Sequence, residues 1–144
     1  MRVLLDTSIL VAALVEAHGR HAQAFAWLQR SRAADPRFLI ATHSVAETYA
    51  ALSSLPISPR VTPASAWALL EHSVLPFVQT VDLTVADVHQ VVERLSREGL
   101  AGDVVYDALI AAAALEARAD CIVTLNPADF RRAVPVGTMN VQEP

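Results

Sequence analysis

The stretch Val3-Leu4-Leu5-Asp6-Thr7-Ser8 sets the frame for the whole chain. Three aliphatic residues in succession predict a short buried strand, and the acid after them stands at its carboxyl end. Asp6 or Thr7 can then cap a helix to about Glu16, closed by His18-Gly19. The same alternation continues outward. An amphipathic helix is expected over about Arg20–Ala33, with Ala24, Trp27 and Leu28 inward, broken at Asp35-Pro36. Phe38–Ala41 reads as a second strand, followed by a helix from Thr42 or Ser44 through Leu52. Ser53–Thr62, with Pro56 and Pro59, is the clearest loop, and Pro63 suits the first turn of a helix to about His72.

Phe77–Val81 is the third strand candidate, and Thr84 can cap a helix to Glu98. After a turn at Gly99 and Gly102 comes a very apolar helix, Asp103–Arg118, then the strand Cys121–Thr124. Asn126-Pro127 opens a helical turn around Asp129-Phe130, and Thr138–Val141 is a last edge strand. Strands alternating with helices predict a single α/β domain over residues 1–144, with a mostly parallel central sheet and helices on both faces.

Composition excludes several classes. At 144 residues the chain can bury roughly 68–70% of its unfolded surface without staples. Hydrophobic residues at 53% and charged residues at 18% exclude intrinsic disorder. No apolar run approaches the ~18 residues of a membrane span. The N-terminal residues lack the pattern of a signal peptide, and a lone Cys121 fits a reducing compartment, so a cytoplasmic location and no membrane partner are expected. All eleven cationic residues are Arg, and without Lys there is no P-loop phosphate binding or Schiff-base chemistry. The formal net charge of −4 does not suggest nucleic-acid binding. A cation bound among the carboxylates would invert the local field, so where the acids sit matters more than their sum.

Ligands of open α/β sheets gather beyond the carboxyl ends of strands. Asp6 falls at such an end and reads as functional more readily than as a solvated edge charge. Glu47, on the helix after the second strand, reads alone as a solvent-facing acid as readily as a functional one. Asp103 and Asp107 are four apart on one helix face, where like charges repel. Stabilisation of the helix N-terminus accounts for Asp103. It accounts poorly for Asp107, which runs straight into Ala108-Leu109-Ile110-Ala111-Ala112, where an acid is costly unless paired or metal-bound. Asn126 and Asp129 follow the fourth strand, where capping a turn is the competing role. Carboxylates drawn from four segments suit a hard cation such as Mg²⁺ or Mn²⁺, which can activate water and stabilise charge on a phosphodiester.

Four segments in this order, Leu4-Leu5-Asp6-Thr7-Ser8, Ser44-Val45-Ala46-Glu47-Thr48-Tyr49, Tyr106-Asp107-Ala108-Leu109-Ile110-Ala111-Ala112 and Val123-Thr124-Leu125-Asn126-Pro127-Ala128-Asp129-Phe130, resemble a PIN domain. The length resembles that of the VapC-type toxins of bacterial toxin–antitoxin pairs. The resemblance implies a PIN-like fold and a Mg²⁺- or Mn²⁺-dependent ribonuclease, usually a homodimer, held inactive by a VapB-type antitoxin. It implies Asp6, Glu47 and Asp107 as the acidic triad and metal ligands. The family's fourth acid falls at Asn126 here, so either Asp129 or Asp103 takes up that role, or the second metal is weakly held, with Asn126 itself kept as a candidate ligand.

Thr7 or Ser8 could hold a metal-bound water, although capping is the plainer role. Arg60 could meet RNA phosphates, against the alternative of a solvated surface arginine. The five histidines show no metal-ligand spacing, and Trp27 and Trp67 read as core or dimer-interface anchors. A haloacid-dehalogenase-type phosphohydrolase would need a second Asp where Ser8 stands, and also a lysine. A receiver domain fails for the same missing lysine. The remaining alternative is a catalytically weak PIN-like scaffold that binds RNA or a partner.

Overall fold

A computed structural model describes residues 1–33, 37–135 and 137–144. The expected break at Asp35-Pro36 lies outside the described residues. The strands are β1 (Arg2–Leu5), β2 (Arg37–Ala41), β3 (Gln79–Val81), β4 (Cys121–Val123) and β5 (Asn140–Gln142). The helices are α1 (Thr7–Leu14), α2 (His21–Arg30), α3 (Thr42–Ser54), α4 (Pro63–Ser73), α5 (Val85–Glu98), α6 (Val104–Glu116) and α7 (Pro127–Ala133).

The strands form one sheet in the order β3-β2-β1-β4-β5, and every pairing is parallel. The expected sheet is thus present, and among the described residues it is wholly parallel. Parallel neighbours require crossovers, and the helices of those crossovers cover both faces. Alternation within each strand divides the core. Val3, Leu5, Phe38, Ile40, Cys121 and Val123 point to one side and pack with residues of α1, α2 and α4. Leu4, Leu39 and Ile122 point to the other and meet Ile110, Ala114 and Phe130 of α6 and α7. Near-continuous apolar strands follow from burial on both faces.

Several helix ends differ from the reading of the sequence by local chemistry. The first helix stops at Leu14, two residues early, where Val15 turns to an extended conformation. The third strand begins at Gln79, because Leu75–Phe77 makes a 3-10 turn. Thr84 and Asp87 form a reciprocal capping box at the start of α5, and Gly99 (φ 69°) closes it with the left-handed turn that glycine adopts most easily. At the end of α6 the same left-handed position is taken by Arg118 (φ 52°), so the amide of Ala119 can reach the Ala114 carbonyl at 2.8 Å. Cys121 is a buried, free thiol that packs in the strand as expected.

The order 3-2-1-4-5 makes the chain reverse its direction of travel across the sheet between β1 and β4. A crevice opens at such a switch point, outside the carboxyl ends of the two strands. Asp6 and Thr124 are the first residues beyond those ends.

Candidate metal centre

Asp6 is held by its surroundings from several sides. Its backbone N–H donates to Val123 at 3.0 Å, continuing the ladder past β1. Its Oδ2 accepts from the Ser8 amide at 3.3 Å, from the Ser8 hydroxyl, and from the Thr124 hydroxyl at 2.8 Å. The side chain therefore caps α1 while its other oxygen, Oδ1, receives none of these three bonds. Asp6 is only 4% exposed, and burial raises its pKa despite these donors. Ser8 in turn accepts from the Leu125 amide at 3.0 Å, and Thr124 accepts from the Asn126 amide at 3.0 Å. These bonds lock the two strand ends together.

Glu47 reaches the same crevice from α3. Ser44, Thr48 and Leu52 form the buried stripe of that helix and leave Glu47 half-buried beside it. Its pKa is raised to about 7, first by desolvation and then by the charges of Asp6 and Asp107. Glu47 Oε1 lies 3.2 Å from His43 Nε2 without hydrogen-bonding alignment, and both atoms are buried without a hydrogen-bond partner. Burial holds His43 below its ordinary pKa. Thr7 Oγ1 is likewise buried with no hydrogen bond of good geometry, though its hydroxyl is near enough to lower the Glu47 pKa.

Asp107 comes from the first turn of α6. Ala108, Ala111 and Ala114 bury the face beside it, so its carboxylate is partly desolvated. Its pKa is raised to about 6 by burial, then by Asp6, Asp129 and Asp103 in that order. A shared cleft of about 630 Å³ holds Glu47, Asp103, Asp107 and Asp129. Asp6 adds to the upward shift of both Glu47 and Asp107, behind desolvation, so the three carboxylates share one electrostatic neighbourhood.

The structure separates the subsidiary candidates. Asp103 occupies the N-cap position of α6 but makes no side-chain capping bond, and it lines the cleft. Asn126 also makes no side-chain cap, and it does not line the cleft, whereas Asp129 does. Arg60 sits on the exposed segment between α3 and α4 and does not line the cleft either. Trp27 packs edge-on against Phe38, with ring centroids 6.2 Å apart, under the Arg30 guanidinium; Trp67 is 46% exposed on α4. Thr124 escaped the reading of site residues. Its position immediately after an apolar strand, like that of Asp6, was the available signal.

Hard oxygen donors, an orphaned Glu47 Oε1 and an orphaned Thr7 Oγ1 suit a divalent cation of the Mg²⁺ class. Among the described residues, however, no three acidic, histidine or cysteine side chains are already drawn together as a coordination set.

The profile of the PIN domain matches residues 3–134, and the chain belongs to that family. It is 34% identical over 116 residues to Ribonuclease VapC27 of Mycobacterium tuberculosis, covering 81% of this chain and 79% of the relative. The crystal structure of VapBC2 from Rickettsia felis, bound to a promoter DNA fragment, aligns with a TM-score of 0.65 at 19% identity over 99% of this chain and 98% of that one. M. tuberculosis VapC20, a toxin that cleaves the sarcin–ricin loop, aligns with a TM-score of 0.65 at 19% identity, covering 83% and 86% of the two chains. FitAcB from Neisseria gonorrhoeae aligns with a TM-score of 0.64 at 22% identity, covering 96% and 95%. The expected PIN-like fold is borne out. Among the described residues no helix is long and apolar enough to cross a membrane.

Proposed function

We propose that the chain is a metal-dependent ribonuclease and the toxin of a VapBC-like toxin–antitoxin pair. The observation that supports this reading is a cleft lined by Glu47, Asp103, Asp107 and Asp129, with the buried Asp6 at the end of β1 contributing to the raised pKa of Glu47 and Asp107. The 34% identity to a protein named as a ribonuclease supports it.

Asp6, Glu47 and Asp107 would hold Mg²⁺ or Mn²⁺, with Asp129 or Asp103 completing the set. When bound, such an ion activates water and offsets charge on a phosphodiester. Asp6 acts as the fixed member, since its Oδ2 is restrained by three donors and Oδ1 receives none of them. Glu47, whose pKa is raised to about 7 in the metal-free fold, would give up its proton as it takes hold of the ion. Ser8 and Thr7 support the carboxylates rather than touching RNA. Arg60 lies outside the cleft and has no assigned part in it.

A cognate VapB-type antitoxin is the expected protein partner, since two of the structural relatives are solved as toxin–antitoxin assemblies. An antitoxin arginine entering the acidic cleft as a bidentate donor would mask it. The chain is also proposed to be a homodimer in the cytoplasm, with exposed Trp67 as a candidate anchor. A catalytically weak scaffold is favoured by one observation, the absence of a drawn-together coordination set among the described residues.

Cleavage of RNA by purified protein in Mn²⁺, abolished by chelation and by Asp107→Asn, separates the two. Sequencing RNA ends after induction identifies the target. A parent protein that leaves RNA intact in Mn²⁺ would overturn the ribonuclease reading.

A further inference from the structure

The acidic cleft carries two side chains that the proposed chemistry does not use. Tyr106 precedes Asp107 on α6, lines the cleft and is 46% exposed. Its ring lies 6.4 Å from the His43 imidazole at a tilt of 36°, so no neighbouring ring covers it face-on in that contact. Arg132, near the end of α7, lines the same cleft with a side chain 66% exposed. Its guanidinium is 3.9 Å from Asp129 Oδ1, a loose exposed pair of the sort that contributes little to stability. Among the described residues lining the cleft, Tyr106 is the one aromatic and Arg132 the one cation.

Both are anomalous if the cleft only holds a cation. A large aromatic surface facing water beside four carboxylates does nothing for metal binding, and an arginine there opposes it. They make sense against a polyanionic chain of bases. A bound cation offsets the charge of one reacting phosphate, while the next phosphate along still meets Asp103, Asp107 and Asp129. A planar guanidinium is the donor best matched to phosphate oxygens. An exposed aromatic ring offers a stacking platform for any unpaired base, because every base has a π face. A duplex keeps its bases stacked on one another and has none to give.

We infer that Tyr106 and Arg132 form a nucleotide subsite in which the ring takes an unstacked base and the guanidinium takes the adjoining phosphate. This inference rests on the ribonuclease reading and names two residues that would engage its RNA.

The test uses a labelled pool of single-stranded 12-residue oligoribonucleotides. Cleavage is followed in Mn²⁺ and binding by fluorescence anisotropy in Ca²⁺, for parent, Tyr106→Leu, Tyr106→Phe, Arg132→Gln and Arg132→Lys. Tyr106→Leu keeps apolar bulk without an aromatic face and should raise KM and Kd for single strands roughly five- to a hundredfold, with a smaller change in kcat. Tyr106→Phe should stay near the parent. Arg132→Gln should weaken binding and flatten the slope of log Kd against log salt by about 0.7, as expected for one lost phosphate contact on a single strand. Arg132→Lys should restore the slope. Arg97→Gln, on the exposed face of α5 and outside this cleft, serves as the matched loss of charge and should leave the slope alone.

Equal single-strand affinity in parent and Tyr106→Leu, or equal loss in Tyr106→Phe and Tyr106→Leu, overturns the stacking role. Tighter Mn²⁺ binding in Arg132→Gln with unchanged RNA affinity makes Arg132 a neutraliser of Asp129 and overturns the phosphate role. A parent that binds the strands without cutting them sinks the ribonuclease reading while the variants still test the subsite. A parent that neither binds nor cuts overturns both.

Discussion

Thr124 donates its hydroxyl to Asp6 Oδ2 at 2.8 Å, joining two residues 118 positions apart at the ends of adjacent parallel strands. The bond is fully buried, and Thr124 Oγ1 simultaneously accepts from the Asn126 amide at 3.0 Å. One hydroxyl therefore orients the carboxylate at the end of β1 and shapes the turn into α7.

Thr124→Val should remove both bonds while keeping volume. The expected loss is about 1–3 kcal/mol of folding stability, chiefly because a buried carboxylate oxygen loses a donor, while the Asn126 amide loses its acceptor. Mn²⁺ affinity should fall about 10–100-fold, the usual cost of disturbing a ligand's orienting partner. Thr124→Ser, which keeps the hydroxyl, should recover most of the affinity. Urea denaturation with Mn²⁺ titration reads both, and unchanged affinity in Thr124→Val would separate Thr124 from the site.

Asp107→Asn should abolish metal-dependent RNA cleavage yet leave the metal-free protein as stable as the parent or more so. Burial and the charges of Asp6, Asp129 and Asp103 all disfavour the ionised form of Asp107, so neutralising it relieves repulsion. Mn²⁺ should raise the melting temperature of the parent by mass action and that of the variant far less. Thermal melts with and without Mn²⁺, beside a cleavage assay, decide this. An active variant would remove Asp107 from the metal centre.

The metal-free chain should lose stability as pH rises through this site. Glu47 titrates near 7 in the fold against an ordinary 4.5, and Asp107 near 6 against 3.8. Between those values the folded chain keeps protons that the unfolded chain has released, so stability falls with rising pH. The loss begins above the ordinary carboxylate values and is complete about one unit above the Glu47 value of about 7. Urea midpoints in chelator at pH 5 and pH 7.5 should differ more for the parent than for Glu47→Gln. An equal difference in both proteins would show that Glu47 is not under strain. Mn²⁺ affinity should change in the opposite direction, strengthening from pH 5.5 to 7.5 as the ligands ionise.

Arg118 carries a φ of 52° at the end of α6, a backbone conformation that costs an L residue about 1 kcal/mol. Arg118→Gly should therefore stabilise the chain by roughly 0.5 kcal/mol after glycine's greater unfolded-state entropy is subtracted. Equilibrium denaturation measures it, and a destabilised variant would mean that the arginine side chain contributes contacts that outweigh its backbone strain.

The purified chain should scatter light as a dimer at micromolar concentration, and Trp67→Ala should shift it towards a species near 15.5 kDa. Trp67, 46% exposed on α4, offers an aromatic surface that pairing would bury. A parent of 15.5 kDa at these concentrations would refute the dimer.

The order of the elements and the acids at β1, α3 and α6 were legible in the linear chain, because they rest on local rules. Val3-Leu4-Leu5 can hardly do other than form a buried strand, and Thr84 with Asp87 carries its own capping box. Asp107 betrayed itself by running into an alanine-rich helix that had to be buried. Exchange between distant segments was not legible. Whether Glu47 faces solvent or the crevice depends on which side of α3 the sheet buries, and the stripe Ser44-Thr48-Leu52 is too polar to announce it. Asn126 and Asp129 both follow β4 in sequence, but one turn of α7 brings Asp129 into the cleft while Asn126 stays outside its lining. The left-handed turn at Arg118 breaks the glycine rule, because the chain must drop from α6 into β4 wherever the sheet receives it. Sequence alone determined the strand–helix alternation and which residue types could carry charge chemistry, since both follow from periodicity and burial cost. Only the tertiary structure decided which carboxylates share a crevice, because the strand order that puts β1 beside β4 is a property of the assembled sheet and of no segment within it.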